Sequence, residues 1–326
     1  MKLQTTLPLS PQEDQIEYSS KILLLGSCFT ENIGGKLDYF KFQNLQNPFG
    51  IVFHPLAIEN LIARAVNRTD FTEKDIFERD GQWFSFEAHS SVTATSKRAL
   101  LHLLNDRLKQ VSSYLSEASH IILTFGTAWD YRHIASDSIV ANCHKVPQKS
   151  FSKEILSVAD ISASVERTVA LINKINQKVQ LIFTVSPVRH TKDGFVENTQ
   201  SKAHLIAAIH ERLIVSPRAQ SRGLFYFPSF ELMMDELRDY RFYNDDMVHP
   251  STTAVQYIWE KFKHVWVSSE TETLQKDIDV IQKGLQHRPF QPDSVSHLKF
   301  QQDLQQKIEK IKQQLSYVVS FESHSF

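Results

Sequence analysis

Glycine is scarce in this chain. Only 9 of 326 residues are glycine, where an average usage of roughly 7% gives more than twice as many, so glycine-based fibrous architectures are excluded. Cysteine is scarcer still, with Cys28 and Cys143 the only two, too few for a disulfide framework. No apolar run approaches the roughly 18 residues that a membrane-spanning helix needs, so no membrane partner is expected. Neither charge dominates: 36 Lys and Arg stand against 37 Asp and Glu. That balance removes the electrostatic footprint of a general nucleic-acid binder. The opening MKLQTTLPLS has no apolar core of a secretory signal, and a cytoplasmic location is expected.

What the chain does have is core-forming material, 41% hydrophobic residues including 22 Phe. Short apolar runs at Ile22 to Leu25, Ile121 to Phe125, Val179 to Val185 and Leu224 to Phe227 read as buried strands. Between them lie helical stripes: Ile58, Leu61, Ile62 and Ala65; Leu101, Leu104, Leu108, Val111 and Leu115; Ile161, Val165, Val169, Ile172 and Ile175. A further stripe, from Val255 to Val265, follows His249-Pro250, with Pro250 placed to open the helix. Strands alternating with helices predict an α/β fold around a parallel sheet. Residues 71–94, with Asp80-Gly81, and residues 129–150 read as insertions that follow strands and overhang their ends. The domain expected over residues 1–268 gives way to a helical extension, 269–326. There Leu274, Ile278, Ile281 and Leu285, then Leu304, Ile308, Ile311, Leu315 and Val318, repeat at heptad-like spacing. Such a hairpin either packs on its own domain or joins two chains as a homodimer; the sequence leaves both open.

Two segments carry chemistry. Leu23-Leu24-Leu25-Gly26-Ser27-Cys28 is a strand meeting a glycine turn and then a helix, which puts Cys28 at the C-terminal edge of the sheet, where open α/β folds bind ligands. The helix N-terminus there is expected to lower the thiol pKa and make Cys28 a nucleophile; a buried inert thiol is the alternative. Asn244-Asp245-Asp246-Met247-Val248-His249 sets a carboxylate three residues before a histidine. That spacing lets Asp246 accept from His249 Nδ1 and leaves Nε2 free to take a proton.

Together the two segments resemble the blocks of the SGNH, or GDSL-type, hydrolase superfamily. Gly26-Ser27-Cys28-Phe29-Thr30 resembles the signature of the GSCFA family, with Thr30 in place of the final Ala. The resemblance continues through Asn47-Pro48-Phe49-Gly50, Phe125-Gly126-Thr127-Ala128-Trp129, Asn142-Cys143-His144-Lys145, Ser186-Pro187-Val188-Arg189-His190 and Tyr240-Arg241-Phe242-Tyr243, covering most of residues 20–265. It implies a three-layer αβα sandwich of flavodoxin-like character and an acyl-ester hydrolase or acyltransferase site. In that alignment Cys28 takes the nucleophile position, His249 the base and Asp246 its orienter, with Ser27 the fallback nucleophile. The superfamily's oxyanion donors fall on Gly50 and on Gly126-Thr127-Ala128, where Ala128 stands in place of an asparagine. Asn142 is the expected substitute donor, with Thr127, Trp129 and His144 behind it; Asn142 equally reads as a turn residue.

Arg189, after the third strand, is positioned to contact a polar or anionic part of a substrate. The 14 histidines show no H-x-H, H-E-x-x-H or C-x-x-C spacing, so neither metal nor cofactor is expected. The substrate class expected is a small-molecule or carbohydrate acyl ester. A glycan- or acyl-binding module on the same fold, without turnover, is the second reading.

Overall fold

The structure is a computed structural model that describes residues 5–215 and 223–321. In chain order the main elements are β1 (Lys21–Gly26), α1 (Cys28–Tyr39), β2 (Gln43–Gln46), α2 (Pro55–Val66), β3 (Phe77–Arg79), β4 (Gln82–Phe84), α3 (Lys97–Glu117) and β5 (His120–Phe125). There follow β6 (Trp129–His133), β7 (Ser138–Ile139), β8 (Phe151–Ile155), α4 (Val158–Asn173), β9 (Gln180–Val185), α5 (Phe195–Val215) and β10 (Leu224–Tyr226). The chain closes with a short α6 (Ser229–Glu231), α7 (Thr252–Trp266), α8 (Glu272–Leu285) and α9 (Val295–Gln314). Among the described residues no helix is long and apolar enough to cross a membrane.

Five strands form one parallel sheet in the order β10-β9-β5-β1-β2. The chain first adds β2 on one side of β1 and then crosses to add β5 on the other. Where the order reverses, the loops after β1 and β5 diverge and open a crevice at the C-terminal strand ends. Side-chain alternation assigns the two faces. Leu23, Leu25, Ile121, Leu123, Leu181 and Phe183 pack under α2, α3, α4 and α5. Ile22, Leu24, Ile122 and Ile182 pack under α1 and α7. The result is a three-layer αβα sandwich.

Helix boundaries follow local caps. Ser251 accepts from the Ala254 N–H and caps α7, so Pro250, expected to open this helix, lies just outside it. Ile175, expected on the stripe of α4, lies beyond the helix end at Asn173 and is 38% exposed.

Both insertions contain small antiparallel sheets, β3-β4 and β7-β6-β8; the first follows α2 and not a strand, and the second runs past residue 150 to Ile155. The first turns at Asp80 and Gly81, with φ of 52° and 74°, the paired positive values that a two-residue hairpin turn needs. Phe86 from the first packs on His133 and Phe151 of the second, and the Ala141 N–H donates to Phe86 O at 2.7 Å. The two insertions therefore make one overhanging wall.

After α7 the helices α8 and α9 face each other across Ile278, Ile281, Leu304, Ile308, Ile311 and Leu315. These residues of the heptad-like stripes are thus buried within one chain. Val318 lies past the end of α9 and is fully exposed, and residues 322–326 of the extension lie outside the described residues. The hairpin is fastened to the C-terminal end of α1. Tyr39 Oη donates to Asp279 at 2.9 Å, and Gln282 Nε2 donates to Tyr39 O at 3.0 Å.

One glycine is indispensable to this frame. Gly26 ends β1 with φ +147°, and a Cβ there would lie 2.2 Å from Thr124 O on β5. Gly26→Ala is expected to lower unfolding free energy by at least about 1–3 kcal/mol, from backbone strain plus this clash. Urea titration of the variant checks it; an unchanged midpoint refutes it.

Candidate active site

The turn after β1 is shaped by three polar contacts. Asn47 Oδ1 accepts from the Gly26 N–H at 2.9 Å, the Ser27 N–H reaches Thr124 O at 3.1 Å, and Ser27 Oγ accepts from the Phe29 N–H at 3.2 Å. Ser27 is therefore the N-cap of α1. Its side chain is 1% exposed, so as a nucleophile it would have to abandon the cap. Cys28 is the first helical residue, half-buried, with a free thiol. At that position its own backbone N–H has no intrahelical partner.

The expected lowering of the Cys28 pKa does not survive the fold. Burial pushes the thiol up, and Glu31 one turn along α1 adds to this; the N–H groups of Cys28 and Phe29, and Lys202, pull the other way and are outweighed. The resting site therefore holds a thiol, and ionising it needs a base.

A carboxylate–histidine pair stands on the loop before α7. Asp246 Oδ2 lies 2.6 Å from His249 Nδ1, while Oδ1 accepts from the N–H groups of Val248 and His249, both at 2.9 Å. These donors hold the Asp246 carboxyl down at about 2. An ionised Asp246 fixes the tautomer that carries its proton on Nδ1, which leaves Nε2 as the acceptor.

Cys28, Asp246 and His249 line one cavity of about 780 Å³. Thr127, Trp129, Asn142 and Arg189 line it too. The insertion wall supplies Asn142 and Cys143, the loop after β9 supplies Arg189 and His190, and the segment before α2 supplies Phe53 and His54. The Cys143 thiol is free, and burial pushes it up to about 11.

Three expected donors are placed otherwise. The Gly50 N–H donates to Asn47 O at 2.7 Å, so the turn that presents Asn47 occupies the group expected to serve an oxyanion. The Gly126 N–H is likewise held by Phe53 O at 2.7 Å. His144 lies in the wall itself, 5% exposed, its ring among Phe77, Phe84 and Phe86 and its Nε2 on Ser85 O at 2.7 Å. It packs the insertion and does not line the cavity. Ala128 is fully buried, and no side-chain donor stands at its position. Thr127 Oγ1 pairs with Ser201 Oγ at 3.0 Å and accepts from the Trp129 N–H, while Trp129 Nε1 reaches Glu197 O at 3.4 Å. Asn142 combines both of its readings: Oδ1 caps a turn by accepting from the His144 N–H at 2.8 Å, and the residue still lines the cavity.

Two residues that sequence reasoning did not single out complete the site. Lys202 on α5 is 1% exposed, and its Nζ donates to Gly126 O at 2.7 Å and to Ser186 O at 2.8 Å. It ties together the ends of β5 and β9, and burial pushes its ammonium down to about 7. Its signal was an ionic residue in register with the apolar Leu205 and Ile209, three and seven positions on. His54 is 5% exposed, and neither ring nitrogen has a partner among the described residues; burial pushes it down to about 4. His190, stacked on Phe53 at 5.1 Å, is driven to about 3 by burial, then by Lys202 and His249. Both rings are neutral at physiological pH. Among the described residues no group of three or more His, Cys, Asp or Glu is arranged to hold a metal.

Comparison with known proteins is consistent with the order of these blocks. No curated protein matches the chain. The profile described as GSCFA family matches residues 21–262, the whole sheet and the site, and that described as GSCFA domain protein, C-terminal domain, matches residues 278–324 across α8 and α9. With about three quarters of its length matched by the first alone, this chain belongs to the GSCFA family.

Proposed function

We propose that the protein is an acyl-ester hydrolase or acyltransferase that works through a Cys28 thioester. The observation that carries the reading is the 2.6 Å Asp246–His249 contact in the wall of the cavity onto which Cys28 opens. The resemblance of both segments to SGNH-type hydrolases supports it, with an acylated carbohydrate as the substrate class to try first.

In the reaction, His249 Nε2 takes the thiol proton as Cys28 Sγ bonds to the ester carbonyl carbon. The carbonyl oxygen becomes an oxyanion facing the Cys28 N–H. The C–O bond to the alcohol then breaks, and His249 returns the proton to the leaving oxygen. Water, or an acceptor alcohol in a transferase, attacks the thioester and passes its proton to His249; Cys28 leaves as thiolate and recovers that proton. Because the resting thiol is neutral, proton removal belongs to the transition state, and His249 contributes there.

Acid quenching after exposure to nitrophenyl acetate tests this directly. Intact-mass and peptide analysis are expected to show one acetyl group, on Cys28; acetyl elsewhere, or none, overturns the reading. The electrostatics predict a second result. Iodoacetamide alkylation of Cys28 rises with pH through a midpoint above the ordinary thiol range, and Glu31→Gln moves that midpoint downward because a neighbouring negative charge is removed. An unmoved profile refutes that cause.

The second reading, a binding module, draws on the occupied N–H groups of Gly50 and Gly126 and on Ala128. It predicts ligand protection of Cys28 without any acetyl-enzyme.

A further inference from the structure

The charges lining the cavity are unevenly paired. Asp246 is held by His249 and two backbone N–H groups, and Asp193 is paired with Lys153. Arg189 has no carboxylate partner among the described residues, and neither has the adjacent Lys192. Arg189 and Lys192, both on the segment after β9, are thus the lining cations without a carboxylate partner, and that side of the cavity offers positive charge to an anionic ligand.

Of the two, Arg189 is the one held to the site. Its N–H donates to Val248 O and its Nη1 to Met247 O, both at 3.2 Å, which straps it to the loop carrying His249. Its guanidinium lies 5.2 Å from the Phe195 ring, 5.5 Å from Tyr243 and 6.0 Å from Tyr240. Such ring contacts orient the guanidinium plane and leave its donor edge for a planar anion. Phe195 and Tyr240 are 67% and 63% exposed, so the platform around that edge is open to a ligand ring.

Position says which part of the substrate meets it. The general acid must touch the leaving oxygen, so the alcohol half of the ester lies on the His249 side, and that is the side Arg189 occupies. Resting on the acyl-ester reading above, we infer that the alcohol released by this enzyme is a ring compound bearing a carboxylate, with Arg189 as the specificity-determining residue and Phe195, Tyr240 and Tyr243 as its platform.

Two chromogenic esters that differ only in that carboxylate test the inference: acetoxynitrobenzoate, whose leaving phenol carries the acid, and nitrophenyl acetate. For the native protein kcat/KM is expected to favour the first by about 10- to 100-fold, the scale of one hydrogen-bonded charge contact, expressed mainly in KM. In Arg189→Gln the ratio falls towards one. Arg189→Lys keeps part of it, since charge remains while the fork is lost. Nitrophenyl hemisuccinate, with its acid on the acyl side, gains no such preference.

A native ratio near one, with both esters turned over, overturns the inference and leaves the Cys28 chemistry standing. A binding measurement covers the absence of turnover. Hydroxynitrobenzoate is expected to protect Cys28 from iodoacetamide where nitrophenol does not; that result without hydrolysis supports the anion site and refutes the hydrolase. Equal protection by both, or by neither, overturns the anion site.

Discussion

Cys28→Ala is expected to lower kcat/KM for nitrophenyl acetate by at least about 10³-fold, because the proposed thioester then has no sulfur at this position to form on. Alanine is a good helix former at the first position of α1, so loss of activity is not loss of fold, and an unchanged unfolding midpoint verifies that. His249→Ala falls by a comparable factor, since the two residues act as one unit and their effects do not add. Cys28→Ser separates chemistry from placement: a hydroxyl at the same site still meets His249 and retains part of the activity. Ser27→Ala is the discriminating control. It removes the α1 cap and costs about 1 kcal/mol of stability, yet leaves turnover within about tenfold if Cys28 is the nucleophile. Equal residual rates in the native protein, Cys28→Ala and His249→Ala refute the assignment.

Lys202→Met is expected to lower kcat/KM by about 100-fold, the scale set by a displacement of roughly 1 Å in a catalytic group. Methionine fills most of the lysine volume but leaves Gly126 O and Ser186 O without their donor, freeing the loops that hold Thr127 and Arg189. Stability provides an independent readout. Lys202 titrates near 7 when folded and at the ordinary lysine value when unfolded. Below pH 7 both states hold the proton and the cost of burying the charge is fully present. As pH rises from about 7 towards 10.5 the unfolded chain binds more protons and native stability increases. Urea midpoints measured across that window should rise in the native protein relative to Lys202→Met; parallel curves refute the buried-ammonium account.

How far the sequence was legible depended on whether each determinant was local. β1, β5 and β9 were legible because a parallel strand covered on both faces is a continuous apolar run. β2 was not: Gln43, Asn44, Leu45 and Gln46 sit at the sheet edge and pair only with β1, so no apolar run is required. The α5 helix escaped notice for a related reason, since its buried stripe of Leu205, Ala208 and Ile209 is shared with Ser201 and Lys202. The Asp246–His249 contact could be read from three residues of spacing because one turn of chain makes it. The Cys28 pKa could not, because its dominant cause, burial, is set by the packed surroundings of α1. His144 read as a substitute donor because it follows Asn142 in the second insertion; its ring is surrounded by phenylalanines from the other insertion, distant in sequence. Gly50, expected as an oxyanion donor, sits in a turn at φ +72°, and that turn itself occupies the N–H.

The attachment of the helical hairpin to α1 has a mechanical consequence. α1 is a rod of 12 residues, about 18 Å long, with Cys28 at one end and Tyr39 at the other. Tyr39 is gripped by Asp279 and Gln282 of α8. A tilt of about 10° at the gripped end swings the other by about 3 Å, more than a proton transfer tolerates. The hairpin thus stands as the far bearing of a lever whose near end is Cys28, and loosening that bearing would shift the thiol from a distance without touching the cavity.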